Sequence, residues 1–511
     1  VSISLLLEMA ASSNPDRTAV VSGDLRLTTQ QLSDLADGGA GVIAESGAQH
    51  VAYVGIGGAM LPVLIFAAAR AGLPFTPLNY RLSAEGIQTL IERLPEPVVV
   101  VDSRYRDMLG DSSKQVMLSD DFLAAARGAE PASDIPVFAD PESVAIVLFT
   151  SGTTSQPKAV ELSHNNLTSY VTGTVEFDSA GAQDAALICV PPYHIAGVGA
   201  ALSNLYAGRK MVYLPNFDAG EWVRLIGAEH VTTATLVPTM LDRVVSVLEA
   251  GDDASRDLTS LRNLAYGGSK VSLPLVRRAL ELLPGVGFVN AYGLTETSST
   301  IAVLTPDDHR AAQAALAAAD SAAVKRLGSV GRPVPGIEVE IRDDEGKALP
   351  PGQTGELFVR GEQVSGRYTG LGSVLDENGW FPTKDIAMLD EEGYLFIGGR
   401  SDDTIIRGGE NIAPAELEEV LVEHPHVRDV AVVGVEDPQW GQAIVAVVVP
   451  RPGSDPDPEE LREHVRKTLR GSRTPDRVVF RDELPTTPTG KVLRREIIED
   501  LAGLQAAPVE Q

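Results

Sequence analysis

The chain carries a single cysteine, Cys189, in 511 residues. One thiol cannot close an internal disulfide, and no CxxC pair is present for a metal or redox site. Cys189 stands in the apolar run Ala186-Leu187-Ile188-Cys189-Val190, which reads as a buried strand thiol rather than a nucleophile. Positive charge is also scarce: 42 lysines and arginines face 70 aspartates and glutamates, a net charge of −28. Nucleic acid needs basic residues to displace its counterions, so it is excluded as a partner. Anionic membrane surfaces are disfavoured on the same ground. No apolar run reaches membrane-spanning length, since residues 62–69 end at Arg70. Leu5-Leu6-Leu7 lacks a basic flank and a cleavage site, so the cytoplasm is the expected address, without integral membrane association. A convincing Ser-His-Asp or cysteine-based site is missing too, which suits chemistry that needs no protein nucleophile.

What is present is an α/β texture. The length calls for two or more domains, and an apolar fraction of 44% with 48 glycines fits a globular α/β protein. Over roughly the first 300 residues, strand-like runs at 51–56, 97–101, 232–236, 261–265 and 286–290 alternate with helical stretches such as 61–70. Such alternation predicts parallel-rich sheets packed with helices, with ligands at the carboxyl ends of the strands. The alanine-rich segment 311–323 reads as a surface helix. After Gly331 short strands at 337–341 and 356–360, with a turn at Asp343-Asp344-Glu345-Gly346, predict a β-rich subdomain. Strand 394–397 runs into Gly398-Gly399-Arg400, a hinge-like segment. Beyond it, helix 415–423 with Pro414 in its first turn, strands 430–435 and 444–449, and helix 459–469 predict a small α+β domain. The boundary falls between Gly399 and Asp402, dividing the chain into 1–399 and 400–511.

Chemistry is concentrated in a few loops. The run Val144-Ala145-Ile146-Val147-Leu148 reads as a buried strand that empties into Phe149-Thr150-Ser151-Gly152-Thr153-Thr154-Ser155-Gln156-Pro157-Lys158. Four hydroxyl residues, a glycine and a lysine suit a polyphosphate, although an ordinary polar surface loop has a similar composition. The spacing is not that of a Walker loop: Pro157 stands where its second glycine belongs, and Ala159 follows the lysine. A second segment, Asn290-Ala291-Tyr292-Gly293-Leu294-Thr295-Glu296-Thr297, ends a strand. Its aromatic ring can stack on a base, and its Thr-Glu pair can meet phosphate and magnesium. Further on come Trp380-Phe381-Pro382-Thr383-Lys384-Asp385, Gly399-Arg400-Ser401-Asp402-Asp403 and Arg407-Gly408-Gly409-Glu410-Asn411. The last is Leu484-Pro485-Thr486-Thr487-Pro488-Thr489-Gly490-Lys491, a lysine on a turn.

In this order and spacing the segments resemble the adenylate-forming superfamily of acyl-CoA synthetases, aryl-CoA ligases, luciferases and peptide-synthetase adenylation domains. The resemblance runs from Asn14-Pro15-Asp16-Arg17 to Lys491. It implies an N-terminal ATP- and acyl-binding domain (1–399) and a mobile C-terminal domain (400–511) that turns about Asp402. It also implies roles. Thr150, Ser151, Gly152, Thr153, Thr154 and Lys158 hold the ATP phosphates. Ala291, Tyr292 and Gly293 flank adenine, with Tyr292 stacking on it. Thr295 contacts phosphate, Glu296 helps hold Mg2+, and Asp385 grips the ribose with Arg400. Lys491 touches the carboxylate and the α-phosphate during adenylation, and Gly409 lines the thiol tunnel. His194, in Pro191-Pro192-Tyr193-His194-Ile195-Ala196-Gly197, borders the acyl pocket, or else is a core histidine with satisfied ring nitrogens. Gly268 and Ser269, after Gly267, form the pocket floor or a plain turn. His424 and His426 read as surface histidines rather than metal ligands, and Glu416-Leu417-Glu418-Glu419 as one solvated helix face.

Three positions depart from the family's common form. Ser155 and Ala159 replace glycines of the phosphate loop, which predicts a stiffer loop. Lys384 replaces the glycine before Asp385, placing a cation beside the ribose or in solvent. The expected activity is acyl-CoA synthesis: ATP and a carboxylic acid give an acyl-adenylate and pyrophosphate, and CoA then takes the acyl group. The alternative is loading of an acyl carrier protein's phosphopantetheine arm. A luciferase-like oxygenase and a non-catalytic nucleotide sensor are rival classes. The pocket segment Tyr193-His194-Ile195-Ala196-Gly197-Val198 has no carboxylate to pair with an amino-acid ammonium, which favours a fatty, aryl or polycyclic acid.

Overall fold

A computed structural model describes residues 2–110, 115–129, 140–150, 157–251, 257–317, 324–407, 410–437, 440–469, 473–487 and 490–506. Two large sheets organise the first part of the chain. In the first, the parallel strands Gly287–Leu294, Asn263–Gly267, Thr233–Leu236, Ala185–Ile188, Lys210–Tyr213 and Thr18–Ser22 lie side by side. Antiparallel strands close both its edges. In the second, Phe75–Leu78, His50–Val54, Pro97–Val101 and Gln115–Leu118 are parallel, and Val144–Thr150 joins them. The α/β alternation of the sequence is thus a pair of parallel-rich sheets.

The main apolar core lies between these sheets, with helices Thr29–Ser46, Met60–Arg70 and Ile195–Ala207 inside it. Every residue of Met60–Arg70 is buried. This explains the most apolar run of the chain: the helix is enclosed on all sides, as a helix without a polar face must be. Even Arg70 is buried, its guanidinium donating to the Ser33 carbonyl at 2.7 Å and to Asp37 at 2.9 Å. Among the described residues, no helix is long and apolar enough to cross a membrane. Helices Ala219–Ala228, Pro238–Glu249 and Leu273–Leu282 cover the outer face of the first sheet. Cys189 is buried there, its thiol pushed up to about 12 by burial.

A four-stranded antiparallel sheet follows: Glu338–Arg342, Thr354–Arg360, Phe381–Leu389 and Leu395–Arg400. Gly398, Gly399 and Arg400, read as a hinge from sequence, are the end of its last strand, and the chain turns only at Ser401–Asp403. After a short hairpin, Ile405–Arg407 with Glu410–Ile412, the strands Val427–Asp437, Gly441–Pro450 and Arg477–Phe480 form a three-stranded sheet. Helices Pro414–Val422 and Pro458–Thr468 pack on one face and Arg494–Ala506 on the other.

Two expectations about this last region are corrected. The glutamates of helix Pro414–Val422 are ion-paired, not merely solvated. Glu416 meets Arg473, Glu418 takes both the Arg494 guanidinium and the Val432 N–H, and Glu419 meets Lys270. Nor is His424 on the surface. It is buried, 3.4 Å from Glu460, with the rings of His426 and His464 edge-on at 5.3 and 5.1 Å.

Three other histidines make the fold sensitive to acid. His50 lies 2.7 Å from the Thr76 hydroxyl, His164 accepts from the Ile3 N–H, and His194 caps a helix. Burial pushes all three down to about 4. Unfolded histidines titrate near 6.5, so below that pH the unfolded chain binds protons that the fold refuses. The stability contributed by neutral histidine is fully present above about pH 6.5 and is lost as pH falls towards 4, up to roughly 3 kcal/mol for each residue. Urea unfolding should therefore show a midpoint that drops between pH 6.5 and 4.5. His50→Gln should flatten that drop, and an equally steep curve in the variant would contradict the assignment.

Candidate active site

The carboxyl ends of Asn263–Gly267 and Gly287–Leu294 bring the segments 267–269 and 290–297 side by side, with Gly267 paired to Ala291. Space is tight at this seam. A methyl group on Gly267 would lie 2.1 Å from the Ala291 carbonyl oxygen, and one on Gly293 would lie 1.8 Å from that of Ser299. Both glycines are required by close backbone approach. Past Gly293 the chain makes the single turn Thr295–Thr297. The buried Thr297 hydroxyl accepts from the Leu294 N–H at 2.9 Å and lies 2.8 Å from the Ser299 carbonyl. Ser298 and Ser299 take φ of 56° and 118°, conformations that cost a non-glycine residue. The strain is confined to the turn that presents Thr295 and Glu296.

Strand Phe381–Leu389 brings Asp385 to the same place. Asp385 is 6% exposed, and both of its oxygens are engaged. The Tyr292 hydroxyl donates to one, and the Arg400 guanidinium reaches the other at 3.4 Å. Burial raises the Asp385 pKa, while Tyr292, Arg400 and Lys491 oppose the rise and Glu296 adds to it. Tyr292, Asp385 and Arg400 are therefore one connected group.

Lys491 enters from the far end of the chain. Its turn presses on the first domain: a methyl on Gly490 would lie 3.1 Å from the Thr239 hydroxyl and 3.7 Å from that of Ser269. The Ser269 hydroxyl is itself shielded from solvent, without a hydrogen-bond partner among the described residues. The Lys491 side chain keeps access to solvent, yet its surroundings are dense enough that desolvation lowers its pKa. Arg400 lowers it further, while Asp403, Asp385 and Glu296 raise it.

Phosphate-loop residues Ser151, Gly152, Thr153, Thr154, Ser155 and Gln156 lie outside the described residues, as does Gly409. The loop's flanks are described, and they form a hairpin. Thr150 pairs with Lys158 and Phe149 with Ala159 across antiparallel strands Val144–Thr150 and Lys158–Ser163. This explains the failure of the Walker pattern, which needs a helix after the loop. It also corrects the reading of Ala159. That residue is buried in an extended strand, where no glycine conformation is called for, so it does not stiffen the loop. Arg93, which sequence reasoning missed, closes the hairpin from outside. Its guanidinium stacks 4.9 Å over the Phe149 ring and donates to the Pro157 carbonyl at 2.7 Å. Tyr368 was missed as well: its hydroxyl donates to Glu296 at 2.9 Å. An aromatic between Gly366 and Gly370 was the available signal.

His194 is the N-cap of helix Ile195–Ala207, its Nδ1 accepting from the Ala196 N–H at 3.2 Å. Nε2 therefore carries the proton, and no partner binds it among the described residues. Desolvation holds the ring neutral.

No group of three or more metal-ligating side chains occurs among the described residues. A magnesium ion that arrives on ATP needs only one or two protein carboxylates, with phosphate oxygens and waters completing its shell. Glu296 fits that role. One of its oxygens takes the Tyr368 hydroxyl, and the other has no hydrogen-bond partner among the described residues.

A family described as AMP-binding enzyme matches residues 7–369, and the AMP-binding enzyme C-terminal domain matches 416–491. An indoleacetate–CoA ligase of Aromatoleum aromaticum is 33% identical over 96% of this chain and 96% of its own. A fatty acid–[acyl-carrier-protein] ligase of Streptomyces coeruleorubidus is 32% identical over 98% of this chain and 96% of its own. The o-succinylbenzoate CoA synthetase of Bacillus subtilis, solved with its acyl-adenylate intermediate, has the same fold with a TM-score of 0.83. It is 28% identical, covering 96% of this chain and 97% of that one.

Lys384 offers a direct test of the geometry. It takes φ of 65°, a conformation that a glycine, the residue expected here from the family pattern, adopts without strain. Strand alternation puts it on the opposite face from Asp385, and its ammonium lies 3.5 Å from Glu356, so it is not a free cation beside the ribose. Lys384→Gly should raise stability by about 1 kcal/mol through relief of the left-handed backbone. Unfolding midpoints of the two proteins check this, and a destabilised variant would mean that the Glu356 pair outweighs the strain.

Proposed function

The chain belongs to the AMP-binding enzyme family, and from that premise we propose that it activates a carboxylic acid with ATP and transfers the acyl group to CoA. The observation that carries this reading is the hydrogen-bonded group Tyr292–Asp385–Arg400, with the Lys491 turn packed against Thr239 and Ser269 of the same part of the chain. A substrate carboxylate is a poor electrophile. It attacks the α-phosphorus of ATP, the P–O bond to the β-phosphate breaks, and pyrophosphate leaves. Negative charge builds on the α-phosphate in that transition state, and a positioned ammonium lowers its energy. Lys491 is that ammonium. Asp385 and Arg400 orient the ribose, Tyr292 lies along adenine, and Glu296 with Thr295 receives the magnesium-bearing phosphates. Magnesium supplies charge neutralisation of the pyrophosphate oxygens. In the second step a thiol attacks the acyl carbonyl, the bond to AMP breaks, and a thioester remains.

The second step needs room for the thiol. The segment 400–511 turns about Asp402, an exposed residue of the turn Ser401–Asp403, withdrawing Lys491 and bringing Gly409 towards the acyl group. A neutral His194 borders that channel without placing charge in it. The aromatic acids named for two relatives, and a pocket segment without a carboxylate, put aryl and arylalkyl acids at the head of the substrate panel. Fatty acids come next. The carrier-protein ligase among the relatives supports a second reading, in which the acceptor is a carrier's phosphopantetheine. Cytoplasmic location belongs to the same proposal.

Lys491→Ala should lower ATP–pyrophosphate exchange by at least about a hundredfold, the scale of losing one transition-state electrostatic contact. Thioester formation from supplied acyl-adenylate should stay near the wild-type rate, and equal loss of both half-reactions would refute the two-step assignment. Offering free CoA and a holo carrier protein, whose phosphopantetheine thiol is free, to the adenylated enzyme separates the two acceptors. A wild-type protein without exchange across aryl, arylalkyl and fatty acids would be a nucleotide sensor instead.

A further inference from the structure

Tyr368 touches two parts of the site that no sequence motif connects. Its hydroxyl donates to Glu296 Oε1 at 2.9 Å, and the Lys158 ammonium lies 5.5 Å from the centre of its ring. The residue is 7% exposed, so little water competes at either contact. Its backbone is fixed to the strand that carries Lys158: Tyr368 pairs with Val160, and the Thr369 N–H donates to the Ala159 carbonyl at 2.9 Å. The same segment grips the other side, where the Ser365 N–H donates to the Glu296 carbonyl at 2.8 Å. We propose that Tyr368 is a positioning residue that couples the lysine of the phosphate loop to the carboxylate receiving the metal–phosphate end of ATP. This inference rests on the adenylation reading above.

Each contact has a chemical purpose. A hydrogen bond to one carboxylate oxygen fixes the rotamer of Glu296 and leaves its second oxygen for a metal shared with phosphate. Lys158 sits in a protein of net charge −28 and, among the described residues, has no carboxylate within ion-pair distance. An aromatic face attracts an ammonium without neutralising it. The lysine is therefore held in place with its full charge available to phosphate, which a salt bridge would not allow.

Tyr368→Phe removes the hydroxyl and keeps the ring; Tyr368→Leu removes both. Binding is measured by calorimetry for ATP with MgCl2, ATP with EDTA, and AMP. Phe should weaken ATP binding about tenfold with MgCl2, the scale of one hydrogen bond to a charged group, and leave ATP with EDTA and AMP unchanged. It should raise the half-saturating magnesium concentration in ATP–pyrophosphate exchange by a similar factor, with thioester formation from supplied acyl-adenylate unaffected. Leu should also weaken ATP binding in EDTA, because Lys158 loses its ring, while AMP binding stays unchanged. The proposal is overturned if AMP affinity falls with that of ATP, if both half-reactions fall together, or if the magnesium requirement of Tyr368→Phe does not move. Absence of exchange and of MgATP binding in the wild-type protein would instead refute the adenylation reading itself.

Discussion

The site is organised around one buried carboxylate, Asp385, whose two oxygens are engaged by partners from separate segments of the chain. Asp385 is buried, and Glu296 raises its pKa further. Burial alone disfavours the charged form of a carboxylate. The Tyr292 hydroxyl and the Arg400 guanidinium oppose this, and Lys491 adds to them from the opposite end of the chain. The dependence is mutual, because Asp385 and Glu296 help keep the Lys491 ammonium charged against its own desolvation. Placing Lys491 in the site and preparing the site's charges are thus a single electrostatic event. Under the rotation proposed above, withdrawal of Lys491 would also remove part of the support for Asp385.

The net charge explains the manner in which cations are held. With 70 acidic side chains in the chain, a lysine meant for phosphate is easily captured by a carboxylate. Where structure alone is at stake, capture is what happens: Arg494 is locked to Glu418 and Asp403, and Arg473 to Glu416. Around the proposed phosphate site the pattern differs. Lys158 rests over the Tyr368 ring, and Arg93 stacks over Phe149 while bonding, among the described residues, the Pro157 carbonyl. Aromatic and carbonyl partners orient a cation without cancelling it. An acidic protein can then present a phosphate with positive charge that its overall field does not provide.

Much of the architecture was legible in the sequence because burial writes directly on periodicity. The parallel strands are short apolar runs, and Met60–Arg70 is a helix without a polar face. The family was legible as motifs, since the segments that carry Tyr292, Glu296, Asp385, Arg400 and Lys491 stand in an informative order. What could not be read were relations between distant segments. That the strands flanking residues 151–156 pair antiparallel, Thr150 with Lys158, is not encoded by local composition. Glu418 looked solvated because its partner Arg494 lies 76 residues away. His424 looked exposed because His464 and Glu460, which enclose it, belong to the next helix. Arg93 and Tyr368 carry no motif at all, and only tertiary placement gives them a role.

Backbone strain separates what the site demands from what this chain tolerates. Ser298 and Ser299 hold unfavourable φ values because the Glu296 turn must reverse within a few residues while Gly293 packs on the Ser299 carbonyl. Interlocking bonds hold that geometry: Ser298 to the Gln363 carbonyl, Gln363 to the carbonyls of Thr297 and Thr300, and Ser365 to that of Glu296. The segment that supplies these bonds ends in Tyr368. The strain at the Glu296 turn and the coupling of Glu296 to Lys158 are therefore maintained by one stretch of chain. Lys384 is different, because its side chain is exposed and its carbonyl is held, among the described residues, by the Ser401 hydroxyl at 3.2 Å rather than by an interlocking set of bonds. A substitution there is free to relieve strain, whereas one at Ser298 or Ser299 would have to rebuild the turn that presents Glu296.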